Sequence, residues 1–137
     1  MLRTQPTRTA FSEPWFSACA EGRLLIQRCE DCGHYQFYPR VICSSCASSN
    51  VQWVEASGKA RLTSFSVVRR AVSRAYEAPY VVALVELQEG PRMMSNIIDV
   101  DPQTVRIGAP LSVRFESWSD EVKLPVFVVT SEQEVEA

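Results

Sequence analysis

The sequence predicts a mainly β protein: a short N-terminal helical segment, a compact metal-binding ribbon, then a small C-terminal barrel. Three observations carry that expectation. Four of the five cysteines lie between residues 29 and 46, as two C-x-x-C pairs ten residues apart. Residues 12–22, SEPWFSACAEG, place helix start and stop residues around an apolar stripe. From residue 51 onward, short apolar or alternating runs are separated by Gly, Pro and Asp turn signals. These features divide the chain into a helical segment (1–22), a ribbon (23–56), a barrel (57–130) and an acidic tail (131–137).

Residues 1–11 are expected to be flexible, as is the tail. In the helix, Ser12 is the expected cap, Glu13 and Pro14 suit the first turn, and Gly22 suits the end. Trp15, Phe16 and Cys19 share one face, and a helix this short must pack on something to persist. RLLIQR (23–28) is the strand expected to lead into the first cysteine pair, with 35–38 and 51–54 completing the ribbon.

From residue 51 onward, VQWVEASGKARLTSFSVVRRAV contains two strand-like runs around Ser57-Gly58. YVVALVEL (80–87) is apolar on both faces, as a central strand would be, and RMMSNIIDV (92–100) returns after Glu89-Gly90-Pro91 as its hairpin partner. LSVRFESW (111–118) puts Leu111, Val113 and Phe115 on one face. VKLPVFVVT (122–130) closes the set, with Pro125 favouring an edge or bulge. Five strands of this length fit an oligonucleotide/oligosaccharide-binding (OB) type barrel.

C-x2-C-x10-C-x2-C suits a tetrahedral S4 metal site made of Cys29, Cys32, Cys43 and Cys46. Each pair wraps a tight turn that aims two sulfurs at one point. Gly33 relieves a left-handed position after the first pair, and Ala47 stands there after the second, which predicts a slightly different turn. Disulfides are disfavoured because no export signal is visible, and a thioredoxin-like centre because no βαβ pattern surrounds either pair. Ligand number and short spacing favour structural zinc; iron in a rubredoxin-like site stays open, since thiolates alone do not separate the two metals. Four thiolates leave no open position, so the metal is expected to fold the module and perform no chemistry. His34 is then a solvent-facing or structural residue, and Cys19 a small core or interface residue.

Composition narrows the function. The chain is 46% hydrophobic with no apolar run near the about 20 residues of a membrane span, which predicts a cytoplasmic, non-membrane protein. Net charge is −2, and the tail holds three of the 16 acids, leaving 14 bases against 13 acids elsewhere. A near-neutral body lacks the footprint of a general nucleic-acid binder, although an OB barrel beside a zinc ribbon keeps that class as the alternative. With a single histidine beside the metal, no phosphate loop and no nucleophile elbow, nothing assembles a catalytic constellation. Glu86 and Asp99 are a carboxylate pair that a hairpin could bring close, and such pairs on strands are commonly just solvated. Two features suit binding instead. Arg69, Arg70 and Arg74, near Tyr76 and Tyr80, would receive an anionic group such as a phosphate. Trp15 and Phe16 are of the type that anchors interfaces.

Taken together, EPWFSACAEGRLLIQRCEDCG, YPRVICSSC, W-x3-SG at Trp53–Gly58, SFSVV, PYVVALVEL, RMMSNI and LPVF make the chain similar, over almost its whole length, to a known family. It resembles the zinc-ribbon/OB-fold proteins first catalogued as domain of unknown function 35 and later described as acyl-CoA-associated. Ser44 replaces a proline common in that family and Ala60 a frequent glycine; neither is a ligand. The resemblance implies a rubredoxin-like zinc ribbon, an OB barrel, and a role as the small non-catalytic partner of a thiolase-like large subunit, not catalytic alone but required by a thiolase, acyltransferase or retro-aldolase. It further implies steroid side-chain or aromatic degradation, a heterotetramer, and acyl-CoA binding, for which the arginine loop is best suited.

Overall fold

The computed structural model describes residues 6–71 and 77–130. Residues 1–5 of the N-terminal stretch expected to be flexible (1–11), the tail (131–137), and Arg74 and Tyr76 of the arginine loop lie outside the described residues. Within 6–11, Arg8 and Thr9 are bonded to Glu13 and Ser12 at the helix start.

Helix α1 spans Glu13–Ala20. Ser12 occupies its N-cap, but in helical backbone (φ −87°, ψ −9°) and with no side-chain bond to the helix. Its hydroxyl instead accepts the Thr9 N–H at 2.9 Å, because a capping side chain needs an extended backbone to reach the first turn. The C-terminus is as expected. Gly22 is left-handed (φ 79°), and Gly22 and Arg23 N–H groups return to Cys19 and Ala18 carbonyls at 3.0 and 2.9 Å.

The ribbon is a three-stranded antiparallel sheet of β1 (Leu25–Cys29), β2 (Tyr35–Gln36) and β3 (Val51–Glu55), with β1 in the middle. β2 stops two residues short of the expected 38. Phe37 turns to pack against the core, and Tyr38, preceding Pro39, leaves the sheet.

Ser57-Gly58 carries the chain from β3 into β4 (Lys59–Val68). Gly58 has φ 83°, and a Cβ there would stand 2.6 Å from Val113 Cγ1, so this turn admits only glycine without a shift. β4, β5 (Tyr80–Leu87), β6 (Arg92–Ile97), β7 (Pro110–Ser117) and β8 (Lys123–Val129) close a barrel in the order β4-β5-β6-β8-β7, the Greek-key OB arrangement. A single 3₁₀ turn, Pro102–Thr104, caps the β6–β7 connection. β5 is central, but only one face is fully buried. Val81, Ala83, Val85 and Leu87 face the core, while Val82 and Leu84 on the outside are half-buried, since a barrel has one interior. Leu111 points inward with Val113 and Phe115 packed beside it. Pro125 falls where β8 has no backbone partner on its β6 side, those strands meeting only at Ile97–Phe127. The Ser95 hydroxyl donates to the Pro125 carbonyl at 2.9 Å across that gap. Glu86 and Asp99 do not meet; Arg92 and Arg114 pair with them separately, at 3.4 and 3.5 Å.

The core is continuous. Leu24 and Ile26 at the ribbon's base join Leu62, Val85, Leu111 and Phe127 of the barrel in one cluster, and Trp15 of α1 packs against it.

Candidate metal centre

The four cysteine sulfurs converge. Cys29–Cys46 and Cys32–Cys43 Sγ atoms are 3.6 Å apart, and all four lie within 4.8 Å of one another. A disulfide needs about 2.05 Å, so neither pair is bonded. A zinc ion with bonds of about 2.3 Å sets tetrahedral sulfur–sulfur edges near 3.8 Å, and the observed spacing fits one ion at the centre. Among the described residues no other cluster of three or more metal-ligating side chains forms.

The two pairs sit on turns of the same geometry. Cys29 N–H bonds His34 O, and Cys43 N–H bonds Ser48 O; Gly33 N–H bonds Cys29 O, and Ala47 N–H bonds Cys43 O, all at 2.8–2.9 Å. Gly33 has φ 78° and Ala47 φ 64°. The expected difference between the turns is therefore absent: Ala47 takes the left-handed backbone and bears its steric cost. In the second turn the N–H groups of Cys46 and Ser45 donate to Cys43 Sγ at 3.5 and 3.3 Å and draw its thiol down to about 7. In the first, the Cys32 and Asp31 N–H groups lower Cys29 in the same way. Each turn thus favours the thiolate at its first cysteine, while Cys32 and Cys46, crowded by the neighbouring thiols, are raised.

Polar side chains tie the turns together. His34 Nε2 lies 3.1 Å from Ser44 Oγ on the exposed side of the centre, a bridging position and not a ligand one. The Ser48 hydroxyl donates to Asp31, and this bond, then one from Asn50, holds the Asp31 carboxyl below its usual range. Behind the second turn, Gln27 and Gln36, facing each other across β1 and β2, bond the loop backbone; they are 3% and 8% exposed.

The remaining predicted residues divide. Cys19 is fully buried in α1, where desolvation pushes its thiol up to about 12, as befits a core residue. Trp15 and Phe16 are half-buried, not free. They begin a row of rings that passes from α1 into the ribbon: Phe16–Trp15, Trp15–Phe37 and Phe37–Tyr38 centroids are 5.0, 6.2 and 5.2 Å apart. Arg8 stacks over Phe16 at 5.1 Å. The exposed apolar residues on the ribbon are Tyr38, Val41 and Ile42, at 58%, 72% and 47% exposure, which sequence reasoning missed. Their signal was a YPRVI run with no strand period. Beside the row, a groove of about 280 Å³ runs between α1 and the barrel, lined by Trp15, Phe37, Met94, Trp118, Leu124 and Pro125 among others. Arg69 and Arg70 are exposed immediately after β4 and are not drawn to the metal centre.

A four-thiolate ribbon sharing its core with a five-stranded Greek-key barrel defines a zinc-ribbon/OB-fold protein. The chain belongs to the DUF35 family: the model described as "ChsH2, rubredoxin-like zinc ribbon domain" matches residues 16–52, and "ChsH2, C-terminal OB-fold domain" matches 53–116. The structural zinc expected from the cysteines accords with that description and with the sulfur geometry. A DUF35 domain-containing scaffold protein of Methanothermobacter thermautotrophicus is 38% identical over 88% of either chain. A probable enoyl-CoA hydratase alpha subunit of Thermomonospora curvata is 37% identical over 92% of this chain, which spans 40% of that relative's length. A solved structure described as "Ltp2-ChsH2(DUF35) aldolase" superposes with a TM-score of 0.84 at 36% identity, covering 91% of this chain and 98% of the other. A DUF35 protein from Sulfolobus solfataricus shares the fold, with a TM-score of 0.63 at 17% identity.

Proposed function

We propose that this chain is a non-catalytic accessory subunit of an enzyme complex acting on acyl-CoA thioesters. Its partner is a thiolase-like large subunit that makes or breaks a C–C bond, as a thiolase, acyltransferase or retro-aldolase. The observation that carries this role is the likeness in architecture, over nearly the whole of both chains and at 36% identity, to a chain of the structure described as an Ltp2-ChsH2(DUF35) aldolase. The relative named as a probable enoyl-CoA hydratase alpha subunit supplies the link to CoA thioesters.

In this role the ribbon (23–56) and barrel (57–130) are two parts of one docking body in a cytoplasmic heterotetramer. Contact with the large subunit centres on Trp15 and Phe16 and on the ring row that continues to Tyr38. Rings backed by core and edged with exposed aliphatics make the desolvated centre that interfaces need. Arg69 and Arg70, with Arg74, meet the CoA phosphates; both described arginines are solvent-accessible and suited to bidentate phosphate contact. Steroid side chains or aromatic acids are the expected acyl groups.

Co-expression with a thiolase-like chain from the same genome tests the role. The two should copurify, and the large chain alone should be insoluble or inactive on acyl-CoA. Full activity of the large chain by itself would sink the proposal. Tyr38→Arg combined with Ile42→Glu should abolish copurification while the small subunit keeps its zinc.

A further inference from the structure

Gln27 and Gln36 are the two buried polar residues among the described residues, and both bond one loop. They are direct cross-strand partners of β1 and β2. Gln27 Oε1 accepts from Gln36 Nε2 and from the Arg40 N–H, both at 2.8 Å, and Gln27 Nε2 donates to the Arg40 carbonyl at 3.2 Å. Gln36 Oε1 accepts the Ser44 N–H at 2.9 Å, and its Nε2 also reaches the Ile42 carbonyl at 3.4 Å. Residues on both sides of Cys43 are therefore tied to the same amide pair.

The placement answers an asymmetry in the ribbon. The first cysteine turn continues directly from β1 and into β2, so strand pairing positions it. The second follows a loop, residues 37–42, that has no strand partner because β2 ends at Gln36. A buried apolar pair at positions 27 and 36 would avoid the desolvation of two amides, but would leave the loop's N–H and C=O groups without partners. The amide pair stands in for the missing strand, matching donors and acceptors to Arg40, Ile42 and Ser44.

We propose that Gln27 and Gln36 are positioning residues for the metal centre, holding the Arg40–Ser44 backbone so that Cys43 and Cys46 stay in register with Cys29 and Cys32. Outer partners that orient ligands in this way are commonly worth about 10- to 100-fold in metal affinity. The same bonds hold the Arg40 and Ile42 backbone on either side of the exposed Val41.

The test uses the full chain loaded with zinc, challenged with excess chelator, and a cobalt-substituted sample whose visible bands report tetrahedral thiolate geometry. Gln36→Met and Gln27→Met keep the length and remove the hydrogen bonds. Each should release metal about 10- to 100-fold faster and weaken the cobalt bands, with the barrel's thermal transition unchanged. Gln36→Glu, which keeps an acceptor for Ser44 N–H, should fall between Gln36→Met and the parent. Gln52→Met, exposed on β3, should behave as the parent. Parental release rates and cobalt spectra in both methionine variants would overturn the proposal. Should those variants fail to fold, amide exchange in the unaltered zinc-loaded protein decides. Arg40 and Ser44 N–H groups should exchange at least 100-fold more slowly than a freely exposed amide, and exchange as fast as one would equally overturn it.

Discussion

In the barrel, Leu62, Val81, Val85, Leu87, Met93, Leu111 and Phe127 meet with no more than 2% exposure each, whereas residues 43–48 of the ribbon bury a single side chain, Cys43. Both regions are ordered, and the contrast shows two sources of order in one short chain. A five-stranded barrel encloses enough apolar surface to hold itself. A turn of six residues cannot, so its free energy must come from metal bonds and from satisfied polar groups. The regions are not independent, because Leu24 and Ile26 carry the ribbon's base into the barrel's core.

The largest effect should follow from removing the metal. Chelation, or Cys32→Ser or Cys43→Ser, forfeits a binding free energy on the order of 10 kcal/mol. Ribbon amide protection and zinc should be lost together, with solubility falling, while the barrel retains a cooperative, lower transition by calorimetry. A Cys32→Ser protein that stayed folded and metal-loaded would show that the ribbon does not depend on its fourth thiolate. Phe127→Ala should come next, costing about 3–5 kcal/mol in denaturant unfolding, since the ring is fully buried at the centre of the shared core.

Smaller effects sharpen the comparison within the ribbon itself. Gly33 and Ala47 hold the same left-handed position in the two cysteine turns. Gly33→Ala should destabilise by about 1–2 kcal/mol, and Ala47→Gly should stabilise by about 0.5–1 kcal/mol, read from thermal unfolding of the zinc-loaded chain. Equal and opposite shifts would mean that the two turns are energetically as well as geometrically alike. The smallest effect concerns pH. Burial raises the Cys19 thiol from 9.0 to about 12, so above pH 9 the unfolded chain releases a proton that the folded one keeps. Cys19 therefore contributes a stability that is intact below pH 9 and declines toward pH 12. Cys19→Ala should flatten that part of the stability curve.

Much of this was legible in the residues. The cysteine spacing names four ligands because a C-x-x-C turn has few backbone solutions, and the barrel strands show themselves through their apolar period and Gly/Pro punctuation. Ser12 misled because capping depends on the backbone angle of the cap residue, and here the Ser12 hydroxyl bonds Thr9 instead of the helix. Ala47 misled because residue preference for a left-handed position is weak beside the paired backbone bonds that close the turn, Ala47 N–H to Cys43 O and Cys43 N–H to Ser48 O. The glutamines were invisible for another reason: a buried Gln and an exposed Gln are spelled alike, and only the pairing of β1 with β2 sets these two side by side.

The sequence by itself determined the local order of this protein, namely the helix with its Gly22 stop, the two cysteine turns, and the strands with their breaks. Each of these rests on short-range backbone preference and apolar periodicity. Tertiary structure alone decided which strands close the barrel, that ribbon and barrel share one core, and that Tyr38, Val41 and Ile42 face solvent while Trp15 is half-buried. Those are matters of long-range pairing and burial, where side chains far apart in the chain compete for the same limited interior.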